Sequence, residues 1–372
     1  MKRTTRTTIG DRTRMRLEEL ETREVPAVVG ALDPTFGTAG KVLVNGGPYS
    51  AVAVQPDGKI VAVGASTNDF LVVRFNPNGT VDTTFGTGGI QKIDFNGLAD
   101  AANDVKIQSD GKIVVVGQAA TAAHGLDFAI ARLNNDGGLD ASFGTGGKTT
   151  VDFAGGGTNN DVANAVAIAA NGNIYVVGTA AGGAGITKFG VAAFSTTGAP
   201  LTTFGAAGHE FEDFGGTADA GNGIAIQADG KLVIAGTTNA VPANGTDIAV
   251  GRLNPTDGSL DMGFGSSGKV AVNFGGAAND VGNAVAIQPN GDIVVAGASD
   301  LNAAGNFDAA AIRLTPTAGA LDATFGSGGK ATIDFGGNAD SANAVVVQPD
   351  GNIVIAGNNN ADVVVARLLQ GN

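Results

Sequence analysis

From residue 32 onward, apolar residues fall in short runs separated by Gly, Asn and Asp, without a sustained helical period. That pattern predicts β-strands throughout. The runs come in sets of four. In one set, Ala284–Gln288 and Asp292–Gly297 flank the turn Pro289-Asn290-Gly291, and Ala309–Leu314 and Lys330–Phe335 follow. Asn-Gly and Asp-Gly turns supply the positive φ that tight hairpins need. The first two strands of a set are almost wholly Val, Ile and Ala, as in strands covered on both faces. The fourth alternates polar and apolar residues, as expected of a half-exposed outer strand.

The sets repeat. Variants of Leu-Asp-x-x-Phe-Gly-x-x-Gly place Phe at 36, 85, 143, 204, 264 and 325. Between them lie hairpins of the form Gln-Pro-Asp-Gly-Lys-Ile-Val, at Gln55–Val61, Gln108–Val114, Gln227–Val233, Gln288–Val294 and Gln348–Val354. The third copy reads Ala169-Ala170-Asn171-Gly172-Asn173-Ile174 instead. Six units of four strands and no helix predict an all-β, six-bladed β-propeller over residues 32–372. The last unit lacks a fourth strand after Asp362–Leu368, whereas Leu32–Gly37 and Lys41–Asn45 precede the first complete unit. The N-terminal strand is therefore expected to complete blade six and close the ring. An open solenoid would need end caps instead.

Three stretches carry a family resemblance. They are Leu-Asp-x-x-Phe-Gly-x-Gly-Gly-Lys-Val, Asp-x-Ala-x-Ala-Val-Ala-Ile-Gln-Pro-Asp-Gly-Lys-Ile-Val-Val-Ala-Gly and Phe-Ala-Ile-Ala-Arg-Leu-Asn, recurring in that order. This resembles the delta-60 repeat of bacterial proteins. The resemblance implies a β-propeller of unknown biochemical role, found in large secreted or surface proteins, and carries over no catalytic residues.

Charge narrows the partners. Thirty-five acidic residues against 22 basic ones give a net charge of −13, which argues against nucleic acid and anionic membranes. The absence of Cys excludes disulfides and thiolate chemistry. No apolar run is long enough for a transmembrane helix. Residues 1–31 form a separate charged segment with Lys2, Arg3, Arg6, Arg12, Arg14 and Arg16 at its start. It reads as an unstructured tail, the alternative being an unusual export or anchoring address. Leu17-Glu18-Glu19-Leu20-Glu21-Thr22-Arg23-Glu24-Val25-Pro26-Ala27 looks like a stretch that opens many large bacterial surface proteins. An extracellular or cell-surface location and a monomeric state are the corresponding expectations.

Comparing the copies separates structural positions from candidate chemistry. Arg74, Arg132, Arg252, Arg313 and Arg367 close the third strand of five units, and Asp82, Asp140, Asp261 and Asp322 follow four of them. Arg367 is expected to find Asp33 across the closure. Copy three has Ala193, Thr202 and Ala169 where the others have Arg, Asp and Gln, so the three are read as one structural cluster. At the other end of the blades, five connections carry Asp-x-x-Asn: Asp100/Asn103, Asp161/Asn164, Asp219/Asn222, Asp280/Asn283 and Asp340/Asn343. These either satisfy loop N–H groups or form a polar ring at the channel mouth suited to a hydroxyl-rich ligand or Ca²⁺. The connection Gly46-Gly47-Pro48-Tyr49-Ser50 lacks the motif, and neighbouring loops are short, which marks Tyr49 as a ligand contact. His124 and His209 lie at opposite ends of their blades and cannot share a metal; each reads as a surface residue. No cofactor is expected beyond Ca²⁺ in the Asp ring. The expected function is non-catalytic binding of a glycan, protein or envelope component. The alternative is a polysaccharide hydrolase or lyase using carboxylates at the channel mouth.

Overall fold

The computed structural model describes residues 32–44, 46–122, 124–153, 159–241, 245–301, 305–336, 339–359 and 362–370. The segment 1–31 lies outside them. Blade one contains β1 (Tyr49–Val54), β2 (Ile60–Ser66), β3 (Asp69–Phe75) and β4 (Ile90–Ile93). Blade two contains β5 (Asp100–Ile107), β6 (Ile113–Thr121), β7 (Gly125–Leu133) and β8 (Lys148–Val151), with the short β9 (Asn159–Asn160) added parallel to β7. Blade three is β10 (Val162–Ile168), β11 (Ile174–Gly183), β12 (Ile186–Phe194) and β13 (His209–Glu212). Blade four is β14 (Ala220–Ile226), β15 (Leu232–Thr238), β16 (Asp247–Leu253) and β17 (Lys269–Val272). Blade five is β18 (Asp280–Ile287), β19 (Ile293–Ser299), β20 (Asp308–Leu314) and β21 (Lys330–Ile333). Blade six holds β22 (Asp340–Val347), β23 (Ile353–Asn359) and β24 (Asp362–Leu368). Each sheet is an antiparallel meander, and the chain is a six-bladed β-propeller.

The inner strand of each blade is longer than the alternation alone suggests. In blade five it begins at Asp280, four residues before the expected Ala284, because a bulge at Gly282/Ala284 interrupts the register. The same irregularity recurs in every blade. It requires glycine on the second strand. A Cβ on Gly117 would sit 2.0 Å from the Ala101 carbonyl oxygen, and one on Gly297 1.7 Å from that of Val281.

Five cores lie between successive blades. Between blades one and two, for example, Val63, Phe70 and Phe85 pack with Val105, Val115 and Ala129. The Phe of five Phe-Gly turns is buried and Phe36 half-buried, and in four of them an Arg stacks on the ring, for example Arg74 over Phe85 at 4.6 Å and Arg132 over Phe143 at 4.7 Å. The expected ion pairs form, Arg74 to Asp82 and Arg132 to Asp140 at 2.8 Å, Arg252 to Asp261 at 2.7 Å and Arg313 to Asp322 at 2.8 Å. Gln55 and Gln227 each accept from Arg74 and Arg252. The cluster also joins blades. Arg74 donates to the Asn135 carbonyl, Arg252 to that of Pro316, and Gly86 N to that of Asp136 at 2.8 Å.

The junction of blades six and one differs. The sixth sheet has three strands, and the expected closing strand, Lys41–Asn45, is not paired with β24. Lys41 bridges back to Gly37 and Thr38, and Asn45 is outside the described residues. The blade-one side of the expected closure is present. Gly37 N donates to the Asn78 carbonyl at 2.7 Å, as Gly86 does to Asp136. Arg367 is exposed and makes no ion pair with Asp33, whose carboxylate instead accepts from the Thr35 N–H and hydroxyl. In the other blades a local connection delivers the fourth strand. Here the two ends of the chain must meet, at a larger loop-closure cost.

Candidate functional site

The beginnings of the inner strands, with the connections from second to third strands, form one end of the propeller. The five Asp-x-x-Asn motifs stand here, across the start of the inner strand rather than in the preceding loop. Their Asp residues are not on the surface: Asp100, Asp161, Asp219, Asp280 and Asp340 are at most 3% exposed. Each accepts from the backbone N–H of the Phe two residues beyond the fourth strand of the preceding blade: Phe95, Phe153, Phe214, Phe274 and Phe335, at 2.7–2.9 Å. Asp161 and Asp219 spend the second oxygen on Ala181 N–H and the Thr238 hydroxyl. Burial pushes the Asp100, Asp161 and Asp280 carboxyls above the usual range.

The Asn residues run between blades. Asn103 donates to the Ala163 carbonyl, Asn164 to Gly221 and Asn222 to Gly282, at 2.8–2.9 Å. Asn283 donates to Ala342 at 3.0 Å. Asn343 turns instead to Asn358 Oδ1, in its own blade, at 2.8 Å.

One pocket collects three of these residues. A cavity of about 360 Å³ between blades five and six is lined by Asn283, Phe307, Asp340, Ser341, Asn343 and Asn358, among others. Its polar groups are linked: Asn283 Nδ2 to Ser341 Oγ at 3.1 Å, Ser341 Oγ to Asn343 Oδ1 at 2.9 Å, and Asn343 on to Asn358. Such a wall presents amides and a hydroxyl beside one aromatic ring. Tyr49 lies elsewhere, at the start of β1, and is 36% exposed. Asp280, at the start of blade five, does not line the pocket, and the remaining Asp-x-x-Asn residues belong to other blades.

The turn Asn76–Asp82, with its Ca²⁺-loop spacing, uses its oxygens internally. Asn78 Oδ1 accepts from the Thr80 N–H and hydroxyl, and Asp82 is held by Arg74, Lys59 and Thr84. His209 opens β13 and packs its ring on Phe153, 5.0 Å between centroids.

A second row of carboxylates escapes a reading of the sequence. A residue at or near the start of the third strand faces the residue just after the fourth, one step beyond the pairs Phe70/Ile93, Phe128/Val151, Phe189/Glu212, Ile248/Val272 and Ala309/Ile333. In blades one, two and five both positions are Asp: Asp69/Asp94, Asp127/Asp152 and Asp308/Asp334. Blade three has Lys188 and Asp213, in an ion pair at 2.9 Å, and in blade four Asn273 donates to Asp247 at 2.8 Å. In blade two, His124 joins the pair. The repeat alignment of these positions was the available signal; the strand register that makes them neighbours was not. Blade three carries a further odd residue, Glu212, at a position that is Ile or Val elsewhere. Burial raises its carboxyl to about 7, against the pull of Lys269 at 3.5 Å.

Residues 55–85, 108–143, 227–264 and 288–325 match the domain of unknown function (DUF5122) beta-propeller. No curated protein matches the chain. Among solved structures, a protein from Lactobacillus plantarum is similar at 11% identity and TM-score 0.52, covering 87% of this chain and 82% of that one. An ulvan lyase of polysaccharide lyase family PL25, bound to a GlcA–Rha3S saccharide, is similar at 12% identity and TM-score 0.50, covering 87% and 81%. Virginiamycin B lyase from Staphylococcus aureus is similar at 12% identity and TM-score 0.46, covering 86% and 83%. At these identities the likeness extends to the fold alone. Over four of its six blades the chain thus carries the repeat signature of a β-propeller family whose function is unknown.

Proposed function

We propose that the chain is a non-catalytic binding module of a bacterial surface or secreted protein, engaging a hydroxyl-rich ligand, a glycan foremost, through the pocket between blades five and six. The linked amides and hydroxyl of Asn283, Ser341, Asn343 and Asn358 carry this reading. Amide groups both donate and accept, which matches sugar hydroxyls, and Phe307 supplies an apolar surface for a ring face. A protein or envelope component is the other class such a face would fit. Tyr49, 36% exposed at the start of β1, is the second contact at the same end of the propeller.

The rival reading is a polysaccharide hydrolase or lyase. Burial raises Asp100, Asp161 and Asp280, a property a general acid needs. Yet these carboxyls accept from backbone N–H groups inside the blades and are almost fully covered, which favours binding over catalysis. The full chain on a glycan array should show selective binding, without cleavage of the bound polysaccharide. Asn358→Ala should weaken that binding about tenfold, as for the loss of a hydrogen bond worth ~1.4 kcal/mol, with little change in Tm; Asn283→Ala should weaken it as much and also lower stability by about 1 kcal/mol, since Asn283 bridges to the Ala342 carbonyl. New reducing ends or unsaturated products would move the protein to the enzyme class. Undiminished binding in both variants would remove the pocket.

A further inference from the structure

We infer that His124, Asp127 and Asp152 in blade two form a binding site for a single first-row divalent cation of the Zn²⁺ type. His124 directly precedes β7, Asp127 is the third residue of that strand, and Asp152 follows β8 on the other side of the ladder. His124 Nδ1 lies 3.4 Å from Asp152 Oδ2 and 3.9 Å from Asp127 Oδ2. Two ligands at ~2.0–2.1 Å from a tetrahedral Zn²⁺ are about 3.3–3.4 Å apart; the His124–Asp152 distance already matches, and the donor atoms of all three side chains, which lie within 4.8 Å of one another, would draw together around an ion. One imidazole nitrogen and two carboxylate oxygens form a donor set for Zn²⁺ or a similar ion, and water can fill the fourth position.

Two observations make this more than a group of acids. Asp127 is only 4% exposed, directs its carboxylate at the imidazole and leaves Oδ1 without a hydrogen-bond partner. A buried, under-satisfied carboxylate oxygen is costly unless a proton or cation meets it. Blades one and five also keep a facing Asp pair, Asp69/Asp94 and Asp308/Asp334, but without an imidazole. Facing carboxylates repel across a ladder, and blades three and four replace one of the two, by Lys188 in an ion pair and by Asn273 in a hydrogen bond. Blade two keeps both carboxylates and adds an imidazole. Asp161 is not a ligand, since both its oxygens are occupied by Phe153 and Ala181 N–H groups. The His124 side chain is 41% exposed, which gives an ion a route in from solvent. The related trio of Asp308 and Asp334 in blade five with Asp340 at the start of blade six has no imidazole and serves as an internal control.

The test is calorimetric titration of the chelator-stripped full chain with Zn²⁺, with Co²⁺ as a spectroscopic substitute. One ion per chain is expected, with visible Co²⁺ absorption of a low-coordinate site and a Zn²⁺-dependent rise in Tm. His124→Ala should weaken Zn²⁺ at least tenfold and abolish the Tm response, while its Tm in chelator equals that of the wild type. Asp127→Asn should do the same to binding; His209→Ala and Asp334→Asn should leave it intact. Absence of Zn²⁺ binding by the wild type would overturn the site, as would unchanged binding in His124→Ala. So would a His124 imidazole that titrates identically by NMR with and without Zn²⁺, which would identify a protonated His124 as the partner of the two carboxylates.

Discussion

The interface between blades four and five and the junction between blades six and one are built from the same repeat, yet only the first is a packed core. Between blades four and five, Val233, Val250, Phe264, Val295 and Ile312 lie in one buried cluster. Arg252 crosses to the Pro316 and Thr317 carbonyls, and Asn222 to that of Gly282. At the other junction Val363 is 84% exposed and Val52 67%, whereas their counterparts Ala309 and Val105 are fully buried. Arg367 and Asn343 occupy the positions of Arg252 and Asn222 but do not cross to blade one. A repeat residue is thus core only when the next blade stands against it, the nearest-neighbour logic of repeat arrays. Sequential blades acquire that neighbour through a short connection. The last acquires it only when the chain ends come together.

The largest test of this contrast uses the Arg cluster. Arg252→Ala leaves Asp261 and the facing carbonyls without their buried donor and should cost about 3–5 kcal/mol in urea unfolding. Adding Asp261→Thr, the residue copy three carries at Thr202, should restore part of the loss. Arg367→Ala, at an exposed position where the guanidinium attracts only the exposed Asp350, should cost less than about 1 kcal/mol. Equal losses at the two sites would show that the junction forms in solution as the other interfaces do.

Much of this was legible from the repeat. The strands, the Phe-Gly turns and the Arg–Asp pairs follow from comparing copies, because copy three loses Arg, Asp and Gln together. The Asp-x-x-Asn motif was legible as a pattern but not as a place. The bulge at Gly282/Ala284 breaks the period-two alternation, so the strand seemed to begin after the motif, while it begins with it. The facing pair Asp127/Asp152 depends on ladder register, which composition and spacing do not encode. The pocket between blades five and six brings together residues of two repeats, and only three of its residues had been singled out. At the junction a missing fourth strand and an unassigned N-terminal one imply complementarity; Gly37 reaches the Asn78 carbonyl of blade one as that implies, while Lys41 bridges locally to Gly37 and Thr38.

A second comparison isolates apolar burial. Val105→Ala removes two methyl groups from a fully buried site and should cost about 2 kcal/mol. Val52→Ala, at the equivalent position of blade one, should cost only a few tenths, on the order of surface substitutions. Thermal unfolding of the two variants checks the difference. A cost at Val52 matching that at Val105 would place a covering surface over β1.

The smallest effect concerns the Asn residues that step from blade to blade. Asn103→Ala removes a 2.9 Å bond to the Ala163 carbonyl and leaves that partly buried acceptor unmet. A neutral hydrogen bond of this kind contributes about 1 kcal/mol, so a drop of that size in unfolding free energy is expected. Asn343→Ala breaks only exposed bonds, to Asn358, Ser341 and Asn283, whose partners water can replace, and should fall below about 0.5 kcal/mol. In a formed junction, Asn343 would reach the Tyr49 carbonyl, the counterpart of Ala163 in blade one. Hydrogen exchange at Asn343 and its neighbours separates the cases. Protection equal to that around Asn103 would mean that Asn343 has found a carbonyl in blade one and that the difference between the two regions is lost. Exchange faster by tenfold or more would locate the weakest link of the propeller between its last blade and its first.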